Sequence, residues 1–434
     1  NDGFEDFFMG GAKFQRGKVF LSNKNKGFDE VKSLDLQKDN KYEDTDAAVF
    51  DIDNDGDLDL YVVSGGNEYK ELDKNYMDRV YLNDGLGNFT RLKIFLPRTN
   101  GSSVSVSDFN NDGYDDLFVG TRSITGFYGL SPYSFFLLNN RDNTLSPVGQ
   151  QRYGMVTDSK WVDINSDGKE DIVLVGDWMP ITILIQEDDL KFVNKTFEYG
   201  LSGTNGLWNV VEIKDFNEDG KIDIIAGNAG TNFKWKPSIT KPVKMYLDDF
   251  DGNKQPDPII FYDFFGNYVP FSSKDKLDKQ LPFLKKKFPN YNNFSKINDI
   301  KSLTGKGEKD ILEIKYIYDL ESSIFINEEK GFKKYALPQS AQLSSIEDFK
   351  FLNNSNNVIY VGNYSKYVTE LGFSNANPGG FLFDLDTTNM NFQNAKTLPL
   401  PFNKDYKAIL DIDDNHLIFS NNDYIYSLSR DYLK

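Results

Sequence analysis

Residues 51–59 read Asp-Ile-Asp-Asn-Asp-Gly-Asp-Leu-Asp. Side-chain oxygens fall at positions 1, 3, 5 and 9 of this nine-residue loop, on Asp51, Asp53, Asp55 and Asp59. Gly56 stands at position 6, where a sharp bend needs a residue tolerant of positive φ. Asp57, at position 7, offers its main-chain carbonyl. This donor set suits a hard cation, because calcium takes six to eight oxygens in flexible geometry. Without the ion, each close pair of carboxylates repels by roughly 1–4 kcal/mol, depending on the effective dielectric. A single copy is also what a metal-free turn looks like, since Asp, Asn and Gly are common turn residues.

The repeats separate the two readings. Asp108, Asn110, Asp112 and Asp116 reproduce the pattern with Tyr114 at position 7; Asp163, Asn165, Asp167 and Asp171 do so with Lys169, and Asp215, Asn217, Asp219 and Asp223 with Lys221. The first residues, at 51, 108, 163 and 215, are 57, 55 and 52 positions apart. Residues 1–6, NDGFED, match positions 4–9 of a further copy, so the sequence reads as a piece that opens inside a repeat. A fifth loop, with Asp249, Asp251, Asn253 and Asp257 as donors and Gln255 at position 7, keeps the oxygens but carries its glycine at position 4. Four to five calcium ions are expected.

The residues after each loop exclude an EF-hand, which needs a Glu at position 12 and flanking helices. Position 12 after Asp51 is Val62, and the flanks are short apolar runs rich in Val, Ile, Leu and Phe, which read as strands. A third strand and a fourth come later in each period. Four strands per period of about 50 residues point to an all-β chain, a β-propeller of four-stranded blades in a single domain over 1–434. Counting anchors gives seven blades, the expected number, if the Asp215 and Asp249 loops share one, and eight if they do not. Leu277, Leu281, Leu284 and Phe288 recur at helical spacing, predicting a small helical insertion at 272–303. Two degenerate loops, headed by Asp348 and Asp411, lack the donor pattern and are expected to hold no metal.

These loops and strands resemble the FG-GAP or VCBS repeat propellers, whose relatives include the calcium-loop blades of integrin α-subunits. The stretch 208–287, with WNVV, DFNEDGKIDIIAGNAG and QLPFLKKKFP, is similar to the C-terminal part of large VCBS-repeat surface lipoproteins of Bacteroidota, often described alongside ASPIC/UnbV proteins. That resemblance implies a cell-surface protein, associated with the outer membrane of a Gram-negative bacterium. It also implies partners in a SusC/SusD-type nutrient uptake complex.

Composition agrees with an extracellular binder of cations. The formal net charge is −17, which disfavours nucleic acid. There is no cysteine and one histidine, His416, so thiolate and poly-histidine metal sites are excluded. No apolar run is long enough to span a bilayer. Low-affinity oxygen loops make sense where calcium is millimolar, outside the cytoplasm. The acidic residues fall mainly in the calcium pattern, and no catalytic constellation stands out. A binding role for a glycan or peptide draws on Arg122, Phe127, Tyr128, Tyr133, Trp178 and Trp235, all in connections after the metal loops. The alternatives are a polysaccharide-degrading, lyase-like enzyme on the same scaffold, and a free adhesin.

Overall fold

The computed structural model describes residues 5–23, 27–188, 190–352, 355–368, 370–372, 374–413, 416–421 and 424–433. Residues 1–4 of the expected loop remnant at 1–6 lie outside these residues.

Apolar stretches form antiparallel hairpins, in which the loops headed by Asp51, Asp108, Asp163 and Asp215 each reverse the chain into a second strand buried along its whole length. Sheet 1 comprises Phe7–Met9, Lys18–Ser22 and Phe28–Glu30; sheet 2 comprises Asp44–Phe50, Asp59–Ser64, Arg79–Asn83 and Phe89–Arg91. Sheet 3 runs Gly101–Ser107, Asp116–Thr121, Ser134–Asn139, Leu145–Gln151, and sheet 4 Met155–Val162, Asp171–Met179, Thr182–Asp188, Lys191–Asn194. Sheet 5 holds Val210–Lys214, Asp223–Gly227, Ser323–Glu328 and Gly331–Ala336; sheet 6 Ile346–Phe351, Val358–Gly362, Gly379–Asp386 and Asn391–Thr397; sheet 7 Tyr406–Asp413, His416–Asn421 and Ile425–Ser429.

The first strands of sheets 2 to 7 touch one another in succession. Each sheet therefore stands with its first strand innermost, and cores such as that of Phe50, Tyr61, Leu117 and Leu137 lie between consecutive sheets. The chain is a β-propeller.

Between the second and third strands of sheet 5 the chain leaves for almost 100 residues. There it forms a further sheet of Val243–Asp248, Asp257–Phe264, Asn267–Pro270 and Glu313–Ile317. The Asp249 loop belongs to this inserted sheet. It neither shares the Asp215 sheet nor adds a sheet in series, the two possibilities that counting anchors allowed. The expected helical stretch is part of the same excursion: Lys274–Gln280, Leu284–Lys287, Tyr291–Phe294 and Ile300–Thr304 are short helices. Their Leu277, Leu281, Leu284 and Phe288 are buried against Tyr246 and Phe261 of the inserted sheet. Met245 and Leu247 on that sheet pack instead with Met155, Trp178 and Leu207, so the insertion covers part of the ring.

Asp348 is not the head of a degenerate metal loop. It lies inside Ile346–Phe351, at a register shift shared with Asp46 in sheet 2 and Asp158 in sheet 4. All three do the same job. Each carboxylate accepts the next backbone N–H of its own strand, from Ala47, Ser159 and Phe349, all at 2.8 Å. The other oxygen accepts an N–H of the following inner strand: Val104 at 2.8 Å, Val211 at 2.9 Å and Ile409 at 2.7 Å. A bulge re-aims a side chain, and here it aims a carboxylate at the neighbouring sheet. Asp411 likewise lies within a strand, bonded to Arg430, while residues 414–415 lie outside those described.

Candidate metal centre

The five loops share one backbone course. Position 4 has positive φ in each, at Asn54, Asn111, Ser166, Glu218 and Gly252, and so does position 6, at Gly56, Gly113, Gly168, Gly220 and Lys254. The glycine missing from position 6 of the Asp249 loop has taken the other left-handed position, which leaves Lys254 at φ 68°.

Position 1 organises the loop. Asp51 accepts the N–H groups of Asp55 and Gly56 at 3.2 and 2.9 Å, Asp108 those of Asp112 and Gly113 at 2.8 and 2.7 Å. Asp163 holds Asp167 and Gly168 at 3.0 and 2.8 Å, and Asp215 holds Asp219 and Gly220 at 3.2 and 2.8 Å. Asp249 takes three, from Gly252, Asn253 and Lys254, at 2.7, 3.0 and 2.9 Å. Position 5 turns one oxygen to the N–H of position 7, as Asp55 does to Asp57 and Asp219 to Lys221, both at 2.9 Å. Asn110, Asn165 and Asn217 at position 3 accept the position-5 N–H.

Position 9 ties the loop to its sheet. Asp59, Asp171 and Asp223 accept the position-2 N–H at 3.0, 3.1 and 2.9 Å. The second oxygens of Asp59, Asp116, Asp171 and Asp223 accept a backbone N–H at the end of the third strand, from Asn83, Asn139, Gln186 and Asn327, each at 2.8 Å. The spacing of the loops gives no sign of this tie between position 9 and the third strand. The side chains there serve the preceding sheet: Asn139 Nδ2 donates to the Ile52 carbonyl at 2.9 Å and Gln186 Nε2 to the Phe109 carbonyl at 2.8 Å. The loops thus sit at sheet-to-sheet seams.

Several oxygens remain for a cation. Asp53 Oδ1 and Asp116 Oδ2 are buried and have no hydrogen-bond partner among the described residues. Carboxylate oxygens of Asp51, Asp53 and Asp59 lie within 4.8 Å of one another, as do those of Asp249, Asp251 and Asp257. Burial pushes the position-9 carboxyls up, Asp59, Asp171 and Asp223 to about 6 and Asp116 to about 7, and the acids at positions 1 and 3 or 5 add to the rise against the N–H bonds. Negative charge is therefore concentrated in these loops, and orphaned oxygens point the same way. These residues fit calcium. In the Asp108 loop one donor is shared, because Arg141 Nη2 lies 2.6 Å from Asp112 Oδ2.

Residues 1–62, 63–119 and 163–226 each match the family described as FG-GAP-like repeat. The chain carries FG-GAP-like repeats. The matched segments include the loops headed by Asp51, Asp108, Asp163 and Asp215. No curated protein matches the FG-GAP-like chain. Among solved structures it is similar to a lectin of Agrocybe aegerita, described as recognising non-reducing terminal N-acetylglucosamine, at 12% identity over 92% of this chain and 91% of that one, with a TM-score of 0.36. It is also similar to the Dos1 propeller, at 8% identity over 94% and 80% of the two chains, with a TM-score of 0.39.

The aromatic candidates divide. Trp178 and Trp235 are buried and meet edge to face at 6.2 Å, so they serve the core between ring and insertion. Phe127 is half-buried, Tyr128 and Tyr133 are exposed, and Arg152 stacks over the Tyr133 ring at 4.8 Å. Arg122 is exposed and ion-paired to Asp177 at 2.7 Å.

Proposed function

We propose that this FG-GAP-like propeller is a calcium-stabilised extracellular binding module. The observation that carries the reading is the division of labour between the two ends of the ring. Loops joining first to second strands hold the metal donors, and those donors are committed to hairpin geometry and to neighbouring sheets. Connections from second to third strands, at the opposite end, present Arg122, Tyr128 and Lys366 to solvent. A scaffold with one end braced and the other displaying loops suits recognition rather than turnover.

The resemblance to Bacteroidota surface proteins supports the further proposal that the partner is a SusC/SusD-type outer-membrane importer. Among the described residues no helix is long and apolar enough to cross a membrane, so in this reading the chain contacts the importer through loops or the insertion. The test is co-purification of the native protein with and without calcium. Recovery with importer subunits only in calcium is expected; a lone monomer in millimolar calcium and mild detergent would sink the importer assignment.

One observation favours the enzymatic alternative. Burial, and then the hydrogen bond that its protonated carboxyl donates to Glu68, raise the Glu43 carboxyl above its usual range, as in an acid/base pair. Turnover of any member of a polysaccharide panel, lost in Glu43→Gln, would establish it.

A further inference from the structure

Arg122 begins the connection after Asp116–Thr121 of sheet 3, Asp177 lies in Asp171–Met179 of sheet 4, and Tyr364 and Tyr367 come after Val358–Gly362 of sheet 6. Arg122 is bonded to Asp177, Tyr128 of the same connection is bonded to Trp178, and Leu130 and Tyr367 both pack against the Trp178 cluster. Sheets 3 and 6 are not neighbours in the ring. Their loops meet only if both reach over its centre, at the end away from the metal loops. Lys366 of the same sheet 6 connection reaches far enough to act on Glu43, just before sheet 2.

The group so assembled is recessed yet open. The Arg122 side chain is 45% exposed although protein crowds it on several sides. Tyr128 is 47% exposed, yet burial is the main cause that raises its phenol. Arg122 and Tyr128 thus stay open to solvent while protein surrounds them. The apolar run Trp178, Trp235, Phe233 and Tyr367 backs it, with successive ring centroids 6.2, 5.7 and 4.9 Å apart.

Its hydrogen-bonding capacity is unspent in a specific way. Arg122 gives only Nε–H to Asp177 Oδ2, at 2.7 Å; among the described residues nothing accepts from its two terminal nitrogens. A guanidinium edge with paired N–H groups matches the two oxygens of a carboxylate. Tyr128 Oη accepts from Trp178 Nε1 at 3.0 Å, which leaves its O–H free to donate. Tyr364 and Tyr367, with centroids 4.5 Å apart, add ring faces and hydroxyls.

Charge limits the ligand. Asp177 already neutralises Arg122, so a ligand carboxylate is held by the terminal N–H groups rather than by net charge and the recess takes one at most, while a net charge of −17 repels a polyanion. A body with several hydroxyls and a stackable ring satisfies the tyrosines better than an extended peptide. We propose that this recess binds a glycan through a single terminal uronic acid, its carboxylate on the Arg122 terminal nitrogens and its ring against the tyrosines. This rests on the binding-module reading and names its ligand class.

The test is isothermal titration of the full chain, in millimolar calcium, with a glucuronate-terminated neutral tetrasaccharide and its carboxyl-reduced counterpart. Saturable binding is expected, at least tenfold weaker for the reduced glycan and for Arg122→Lys, which keeps a cation beside Asp177 but loses the fork. Tyr128→Phe is expected to weaken binding several-fold and, because it orphans the Trp178 indole N–H, to lower the melting temperature slightly, whereas Arg122→Lys leaves the melting temperature unchanged. Equal affinity for the reduced glycan, no binding to either, or an indifferent Arg122→Lys would overturn the proposal. Tighter binding of a peptide with a free terminal carboxylate than of the glycan would overturn the sugar assignment. If the glycans fail while the calcium-dependent partner is still captured, this inference falls and the binding-module reading stands; loss of both removes the two together.

Discussion

Asp223 Oδ1 accepts the backbone N–H of Asn327 at 2.8 Å, although 104 residues separate the two. The same bond joins Asp59 to Asn83 only 24 residues away. An entire sheet and its helices have been inserted between the partners in sheet 5 without disturbing the tie. The position-9 aspartate is therefore a clasp between hairpin and third strand, and in the proposed calcium site it would also be an oxygen donor.

Separating those roles gives the first prediction. Asp223→Ala orphans two buried N–H groups, of Phe216 and Asn327, and is expected to cost about 2–4 kcal/mol even in excess chelator. Asp219→Ala removes an exposed donor that serves mainly the ion, and in chelator is expected to cost less than about 1 kcal/mol. Urea denaturation of both variants in chelator checks this; equal midpoints would show that the clasp carries no weight.

Calcium itself is expected to stabilise the fold. An ion bound only by the folded state adds RT ln(1 + [L]/Kd), about 2.7 kcal/mol per site at a hundredfold excess over Kd. Chelation should lower the melting temperature, and readdition of calcium should restore it. A melting curve that does not move in excess chelator would refute calcium binding at these loops.

The pH response has opposite signs with and without metal. Burial raises Asp46 and Asp348 to about 7 and Asp158 to about 6, and the metal-free position-9 acids lie in the same range. Folded-state values above the ordinary 3.8 mean that the fold binds more protons than the unfolded chain between about pH 4 and 7. Stability from these groups is full below that window and is lost as pH rises through it. In chelator the melting temperature is therefore expected to rise as pH is lowered from 7.5 to 5. Calcium needs its ligands ionised, so the gain in melting temperature on adding calcium is expected to shrink over the same interval. Scanning fluorimetry at several pH values, with and without calcium, measures both slopes.

Two side chains occupy backbone conformations that glycine or asparagine holds at lower cost. Lys254 has φ 68° in the Asp249 loop, and Phe265, 89% exposed at the tip between Asp257–Phe264 and Asn267–Pro270, has φ 50° beside Gly266 at 87°. Lys254→Gly and Phe265→Asn are each expected to stabilise by about 0.5–1 kcal/mol. Gly220→Ala, at φ 85°, is expected to destabilise by about 1 kcal/mol. Chemical denaturation of the three variants decides; destabilisation by Lys254→Gly would show that the lysine side chain contributes more than its backbone strain costs.

By itself the sequence determined the metal loops, the strands around them and the repeating sheet. Nine consecutive residues contain nearly all the donors, so spacing alone specifies the loop, and the four strands of a repeat are mostly joined by short connections. Everything set by distant pairing needed the tertiary structure. A glycine at position 4 looks like a damaged loop until both left-handed positions are seen. Asp348 reads as a decayed ligand, since Asp at the right interval is all that a repeat count can register; only the strand register shows it as the partner of Asp46 and Asp158 in linking inner strands. Nothing local marks Asn327, rather than a residue shortly after Asp223, as the end of the clasp, because hydrogen bonding between strands fixes sheet membership independently of the intervening chain. Trp178 and Arg122 have equally plausible sequence contexts for binding, yet the inserted sheet buries the first and the loops meeting over the ring leave the second open.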